Sequence, residues 1–524
     1  MPKKNYNVII VGLGLAATAA AARMTEIGVT NIAMFGAGKG ASSNAMALNL
    51  CTNDNPHQDS PEVFANDVLE VGRHIQDPEL ITEMTAHSQE VYELFVRWGA
   101  DFVKNEDGSL HRRQTCGSSK PRTIHYISRK SIGAQIVETA GQKLAEAGVQ
   151  IFRGYKMVRL LFGEGRVIGV TMKDPDGVNR DYYAPVVMAA WGGVGRMLDG
   201  ISDGHDDLEG SPVGMAWKLG AKVVDMEFLE FEPTWFLGPG NIHGAIITSM
   251  LADDQPDHGI AIRNSAGERF LFNVRPEGEA GVPKAVLNRE NMLQVKKGLG
   301  SPNGGVFADF TGLDHSVYVK YGTEENNLYT RMLAQGLDLK KTWVEIGPKP
   351  HSHSGGLVID RKYRTTLPGL YAAGEAVGGC QGADRAGGMG GGQASLTGYI
   401  CGESMANDIL DAIKQGTFPE ELPENTNQLH ECAGVYAKYI PEARAIANPV
   451  MQPMRNGRDL TAAIEKLDKM IALDEVQADD VTHATLVSMR LMLNGALLRE
   501  ESRGVHNREE FPKERPEFAH GIVQ

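Results

Sequence analysis

The sequence predicts an α/β protein: a doubly wound, Rossmann-like nucleotide-binding domain with a helical region toward its C-terminus. Three observations predict it. Asn7–Val11 is an apolar run, NVIIV, that passes through Gly12-Leu13-Gly14-Leu15-Ala16-Ala17 into the alanine-rich stretch TAAAARMTEIG. That is the pattern of a buried parallel strand, a tight turn and a helix start. A second glycine-bearing strand and turn, TTLPGLYAAGEAVGG (365–379), lies far downstream. Residues 425–500 are rich in helix formers, with helical apolar spacing in LTAAIEKLDKMIAL. At roughly 100–200 residues per domain, 524 residues make about three structural units.

Each element has a physical reason. Gly12 permits the turn, Gly14 lets backbone approach a pyrophosphate, and the small Ala17 lets the helix pack close to the strand. The free N–H groups of the helix then face phosphate. The second strand, NIAMF (31–35), should end on an acid that grips a ribose, but it ends in Phe35-Gly36-Ala37-Gly38. That gap argues against a nicotinamide enzyme more than against a flavoprotein. VVMAAWGGVG (186–195) is an apolar strand ending at Gly192-Gly193, read as a central strand meeting the cofactor. In flavoproteins that bind FAD by two separated segments, an acid in the second segment lies near the ribityl and pyrophosphate. Gly374-Glu375 fits that place. The small-residue helix GGGQASLTGYICG (390–402), with Ser395 and Leu396, follows, and its N-terminal N–H groups would face the flavin pyrimidine. The paired segments predict FAD.

The net charge of −14 argues against a nucleic-acid partner, although a few buried arginines would still hold an anionic substrate. The N-terminus, MPKKNYNVIIVGLG, enters a strand at once with no secretory segment, and no run reaches the ~18 apolar residues of a membrane span. These features predict a cytoplasmic chain without direct membrane insertion. Cys51, Cys116, Cys380, Cys401 and Cys432 form no C-x-x-C pair, so neither a disulfide framework nor an iron–sulfur cluster is expected.

Five further segments, in order, resemble the flavoprotein subunits of fumarate reductase and succinate dehydrogenase, a family that includes L-aspartate oxidase. They are DMEFLEFEPT (225–234), LNREN (287–291), KPHSHSGGLVID (349–360), GCQGADRAGG (379–388) and LLREESRGVHNREEFP (497–512). The resemblance implies an FAD-binding domain (1–235 and 345–410) interrupted by an α+β capping domain (236–344) that moves as a lid, then a C-terminal helical domain and tail (425–524). The charged, proline-punctuated tail from Glu500 is expected to run extended over the surface. The family implies hydride transfer between flavin N5 and a carbon–carbon bond of a small organic acid. Arg289 resembles the arginine that shuttles the proton, and His351 and Arg385 resemble the groups that bind the substrate carboxylate. A guanidinium forks well onto a carboxylate.

Four departures bear on chemistry. GASSNAMAL (40–48) lacks the histidine to which some members link FAD, so the flavin is expected to be non-covalent, with Ser42, Ser43 and Asn44 as hydrogen-bonding groups. This leans toward reduction or oxidase-type use. The family's histidine-proline-threonine becomes Glu232-Pro233-Thr234, and a glutamate there repels a second carboxylate unless protonated. Its threonine-glutamate pair becomes Thr248-Ser249, and GGMGGGQ (387–393) reads as a glycine-rich insertion after Arg385. A monocarboxylate, or an unsaturated acid with a neutral or cationic far end, fits these changes better than fumarate. His125, His258 and His353 receive no role, and Thr115-Cys116-Gly117 aligns with a loop over the flavin, Cys116 reading as structural. The competing readings are an L-aspartate oxidase-like enzyme and an electron-transfer subunit of a larger complex. In that last case an iron–sulfur, haem or flavin-reductase partner would bring the electrons.

Overall fold

The computed structural model describes residues 1–38, 40–54, 57–125, 131–198, 210–238, 260–320, 324–325 and 327–524. The chain forms two compact units: Met1–Leu229, Ser352–Met451 and Asn456–Gln524 make the first, and Glu230–His351 with Gln452–Arg455 the second.

The first unit is built on a five-stranded sheet. Its order is Leu370–Ala372, Val186–Ala189, β1 (Val8–Val11), β2 (Ile32–Gly36) and Gln150–Arg153. All neighbours run parallel, with Val8 beside both Val186 and Ile32. Every residue of β1 and of Val186–Ala189 is buried, which is why both read as unbroken apolar runs. Helix α1 (Leu15–Ile27) packs against the long helix Met389–Lys414. Gly398 and Gly402 of that helix face Ala16 and Ala20 of α1 at matching four-residue spacing. A Cβ on Gly398 would overlap the Ala16 carbonyl, and one on Gly402 would lie 2.6 Å from the Ala20 oxygen. Alanine is the better helix former by about 1 kcal/mol. Gly398→Ala is nonetheless expected to lower stability by about 1–3 kcal/mol through overpacking. It should also weaken flavin retention, because α1 follows directly from the Gly12–Gly14 turn. Denaturation followed by flavin absorbance checks both effects.

Toward the C-terminus, helix Asp480–Leu498 is buried along most of its length and packs on Gly457–Ile471 and Ser211–Lys218. The tail departs from expectation. Instead of lying on the surface from Glu500, the chain first turns inward, with Glu501, Arg503, His506 and Arg508 buried, and only from Glu509 to His520 is it largely exposed as expected. Its last residues add to a strand edge: Gln524 N–H donates to the Val223 carbonyl at 2.8 Å and Val223 N–H to Gln524 O at 3.0 Å. Charged residues are buried here because they neutralise one another, which composition alone does not show.

The second unit is α+β. Its sheet runs in the order Leu229–Phe236, Val344–His353, Val306–Asp309 and Ala261–Arg263. Helices Lys284–Lys296, His315–Lys320 and Leu328–Ala334 accompany it, around a core that includes Ile262, Phe270, Leu287, Phe310 and Ile346. Among the described residues, no helix is long and apolar enough to cross a membrane.

Candidate active site

In the first unit, three glycine turns meet at the carboxyl edge of the parallel strands, where open α/β sheets bind ligands. Gly12 has φ 134, and a Cβ on it would overlap the Ala190 carbonyl. A Cβ on Gly14 would lie 2.8 Å from Ser42 Oγ, and the Leu15 N–H at the start of α1 donates to that hydroxyl at 2.9 Å. A Cβ on Gly193 would lie 2.6 Å from the Glu375 carboxyl, and Glu375 Oε1 accepts the His353 N–H at 2.9 Å. Gly374 has φ 72 and donates its N–H to Thr397 Oγ1 at 2.9 Å, while a Cβ on it would lie 2.9 Å from the Ala16 side chain. Gly36 stands where a ribose-binding acid was expected, and a Cβ there would lie 2.7 Å from the Leu13 side chain. These cradles fit a dinucleotide laid along backbone. Ala17 is buried beneath the turn and Gly192 has φ 78. Ser43 Oγ donates to the Gly40 carbonyl, and Asn44 ends the same short turn, Ala41–Asn44.

Arg385 lies at the start of the second long helix. Its Nε donates to Ser352 Oγ at 3.2 Å, and a Cβ on Gly390 would lie 2.8 Å from its Nη1. The stretch read as an insertion is the first turn of helix Met389–Lys414. Gly390 makes room for the guanidinium, and Gly391 and Gly392 for Leu48 and Asn49: a Cβ on either would lie 2.5–2.9 Å from that segment. Guanidinium and helix N-terminus therefore present positive potential together. A helix leaves its first four N–H groups unpaired. Ser395 and Leu396 lie beyond them, fully buried, and Ser395 Oγ donates to the Gly391 carbonyl at 2.8 Å. The turn is latched from outside by Asn49 Nδ2 and Thr115 Oγ1, both donating to the Gly387 carbonyl at 2.7 and 2.9 Å, and by the Gly387 N–H donating to Cys116 O.

In the second unit, helix Lys284–Lys296 carries Arg289. The guanidinium reaches Glu290 Oε1 through Nη2 at 2.9 Å and Nε at 3.0 Å; the arginine side chain is 43% exposed and the glutamate 8%. The same helix is fixed to strand Leu229–Phe236 by polar side chains at helical spacing. Asn288 Nδ2 donates to Phe231 O at 2.7 Å and Asn291 Nδ2 to Pro233 O at 3.3 Å. Lys284 Nζ lies 3.2 Å from both Glu230 and Glu232. Glu232 Oε1 also accepts Thr234 Oγ1 at 2.8 Å. Glu232 is thus a buried acceptor whose Lys284 partner is shared with Glu230.

His351 is the last residue of the second unit's long segment, Glu230–His351, within strand Val344–His353, and is half-buried. His353 places Nε2 3.0 Å from the Met226 carbonyl, so that nitrogen carries the proton and the ring anchors main chain. Burial, with Arg113 nearby, pushes His125 down to about 4, which keeps it neutral. Thr248, Ser249 and His258 lie outside the described residues. Among the described residues, no grouping of His, Cys, Asp and Glu is arranged to hold a metal ion.

The family profile described as the FAD binding domain matches residues 7–390. This chain belongs to that family. A second profile, the fumarate reductase flavoprotein C-terminal domain, matches residues 444–520, so the flavoprotein carries both parts of the fumarate reductase and succinate dehydrogenase flavoprotein type. It is an FAD-dependent oxidoreductase. It is 27% identical to a fumarate reductase (CoM/CoB) subunit of Methanothermobacter marburgensis, over 99% of this chain and 96% of that one. It is likewise 27% identical to L-aspartate oxidase of Pyrococcus abyssi, over 98% and 97%. In fold it is similar to Mycobacterium smegmatis Sdh1 in complex with UQ1, with TM-score 0.84, 22% identity and coverage of 100% and 92%. It is also similar to a quinol-fumarate reductase with menaquinol molecules, with TM-score 0.81, 21% identity and coverage of 98% and 94%.

Sequence reasoning overlooked several residues of this flavoprotein. Lys284, Asn288 and Asn291 form an i, i+4, i+7 stripe on the helix of Arg289, a signal legible as polar residues at helical spacing. Gln76, Gln381 and Gln393 form a buried relay. Gln76 Nε2 donates to Gln381 O at 3.0 Å, Gln381 bonds Gln393, and Gln393 Nε2 donates to Gly374 O at 3.2 Å. No spacing in the sequence announces that relay.

Proposed function

We propose that this flavoprotein reduces the carbon–carbon double bond beside the carboxylate of a small unsaturated acid in the cytoplasm, with FAD held non-covalently. The observation that carries the reading is Arg385, tethered by Ser352 against the first turn of a helix, a ready site for a carboxylate. Arg385 and His351 bind that group and draw electron density from the double bond. When bound, FAD would supply hydride chemistry for the far carbon. Arg289, aimed by buried Glu290, delivers the proton to the carbon next to the carboxylate. Glu230 and Glu232 make the cap acidic beside Lys284, which favours a monocarboxylate or a substrate with a neutral or cationic far end. Non-covalent attachment is supported by the Ala41–Asn44 turn, which offers hydroxyls and an amide and no imidazole. Ser42, Gly193 and Glu375 would hold the cofactor. An iron–sulfur protein or flavin reductase would bring the electrons, in keeping with the archaeal relative being named as one subunit of its enzyme.

The same acidic pair also favours a second reading, since an ammonium group would meet it well: an oxidase acting on an amino acid such as L-aspartate. One anaerobic experiment separates the two. The flavin is reduced chemically and mixed with crotonate or fumarate, and in parallel the oxidised enzyme is mixed with L-aspartate, each followed by flavin absorbance. Reoxidation by crotonate, faster than by fumarate, is the expected result. Bleaching by L-aspartate with no reoxidation by either enoate would replace the reductase reading with the oxidase one. Flavin that leaves the protein on acid precipitation, unattached to polypeptide, is expected for non-covalent binding.

A further inference from the structure

Beneath the loop of Arg385 lies a charge cluster that the reaction does not use. Arg499, at the end of helix Asp480–Leu498, donates from Nε to Glu227 Oε1 at 2.6 Å and from Nη1 to Glu501 Oε1 at 2.9 Å. It also donates to the carbonyls of Phe518 and His520. Arg503 forks onto both oxygens of Glu501 at 2.7 and 2.9 Å. Asp225, Glu227, Arg499 and Glu501 are 0% exposed. Three buried carboxyl groups therefore share two guanidinium groups, and the cluster is neutral only when one carboxyl is protonated. The geometry selects which. Glu227 and Glu501 are bonded to arginine, whereas neither oxygen of Asp225 meets a donor in hydrogen-bonding geometry among the described residues.

Asp225 also stands where three backbone segments close on one another. Its φ is 61, its N–H donates to the Ile522 carbonyl at 3.2 Å, and a Cβ on Gly521 would lie 2.9 Å from its Oδ1. A Cβ on Gly355 would lie 2.6 Å from its carbonyl carbon, and one on Gly378 would lie 2.6 Å from the oxygen of neighbouring Val224. Those two turns lead directly to Ser352 and to Arg385. From the other side, the C-terminal hairpin clasps the same loop: Val505 N–H donates to Ala383 O at 2.9 Å, and Gly504, with φ 55, leaves no room for a Cβ beside that carbonyl.

We propose that Asp225 is a positioning residue held as a neutral acid, closing the turns at 354–356 and 378–379 on the C-terminal tail so that Arg385 is fixed, and that its ionisation loosens them. The charged and titratable groups facing it are Glu227 on its own segment, Arg499 from the helix end and the buried Cys380 thiol. His353 sits on the adjoining Met226 carbonyl, and Gly355, Gly379, Gly521 and Ile522 present main chain. Burial, reinforced by the Glu227 charge, pushes the Asp225 carboxyl up to about 8. Loss of the proton above that pH leaves a buried anion beside the Glu227 charge, offset only by nearby main chain and by an Arg499 already bonded to Glu227 and Glu501.

The catalytic consequence rests on reading Arg385 as the carboxylate-binding group; the structural claim does not. The test compares the holoenzyme with Asp225→Asn on both sides of pH about 8. Amide hydrogen exchange, corrected for intrinsic rate, is followed in residues 376–388 and 519–524, and crotonate affinity is read from the flavin spectrum. In the wild type, protection in both segments should fall above that pH, and affinity should drop about tenfold per further pH unit, since only the neutral form is competent. Asp225→Asn should remove both declines and match the wild-type affinity below it. Glu227→Gln serves as a second variant: with one acid fewer, ionised Asp225 is balanced by Arg499, and the break should move to lower pH. Exchange that has no pH break in the wild type, or an identical break in Asp225→Asn, overturns the role of Asp225. Crotonate binding indifferent to Arg385→Ala overturns the reading of Arg385, so the two failures are separable.

Discussion

Replacing Arg289 by glutamine is expected to lower turnover about a thousandfold while leaving flavin content and carboxylate affinity near wild type. The side chain lies on a helix held to its neighbouring strand by Asn288 and Asn291, so its backbone does not depend on the guanidinium. It is only partly buried, and among the described residues its bonds are to Glu290 alone in the same turn. Glutamine keeps a hydrogen-bonding amide on a shorter side chain but has no proton to give. A loss confined to kcat marks a group used in the transition state, whereas a rise in KM at constant kcat marks a binding group. Stopped-flow reoxidation of the reduced enzyme by crotonate makes that separation. A variant retaining more than about a tenth of wild-type turnover would remove Arg289 from the proton-transfer role.

The second large effect is on stability. Arg499→Ala is expected to cost about 3–5 kcal/mol, the range found when one partner of a buried ion pair is removed. Arg499 is enclosed, stacks on Phe228 with its guanidinium carbon 4.7 Å from the ring centroid, and compensates Glu227 and Glu501 at once. Its loss strands Glu227, leaves Glu501 to Arg503 alone, and frees the carbonyls of Phe518 and His520. Urea denaturation followed by circular dichroism measures the change, and a loss under about 1 kcal/mol would show that water reaches the cluster. Asp225 makes the sign of the pH dependence explicit. Its folded carboxyl titrates above its ordinary 3.8, at about 8, so the native state keeps a proton that the unfolded chain releases. Its contribution is full below pH 3.8, declines as pH rises and is gone above about 8. The stability advantage of Asp225→Asn over wild type should grow across that interval.

The sequence contains enough to identify the architecture wherever local rules suffice. The Asn7–Ala17 stretch reads as strand, turn and helix because a buried parallel strand must be apolar on both faces and a glycine turn must admit backbone. The Gly192-Gly193 and Gly374-Glu375 turns are legible for the same reason, and the order of the five motifs is what identified the family. The start of the C-terminal tail, Glu501 to Arg508, was misread because charge usually means solvent. The rule fails when the charges are mutual partners, and partners such as Glu227 and Arg499, 272 residues apart, carry no joint signal.

By itself, then, the sequence determined the flavin-binding frame, the family and the residue types available for chemistry, since these depend on short-range patterns of glycine, apolar runs and motif order. Only the tertiary structure decided that Glu232 is paired with Lys284, that the glycines after Arg385 open a helix for its guanidinium, and that Asp225 is a buried carboxyl left over from two bonded pairs. Those outcomes depend on which distant groups share one desolvated space, and burial sets both whether a charge persists and what it can hold.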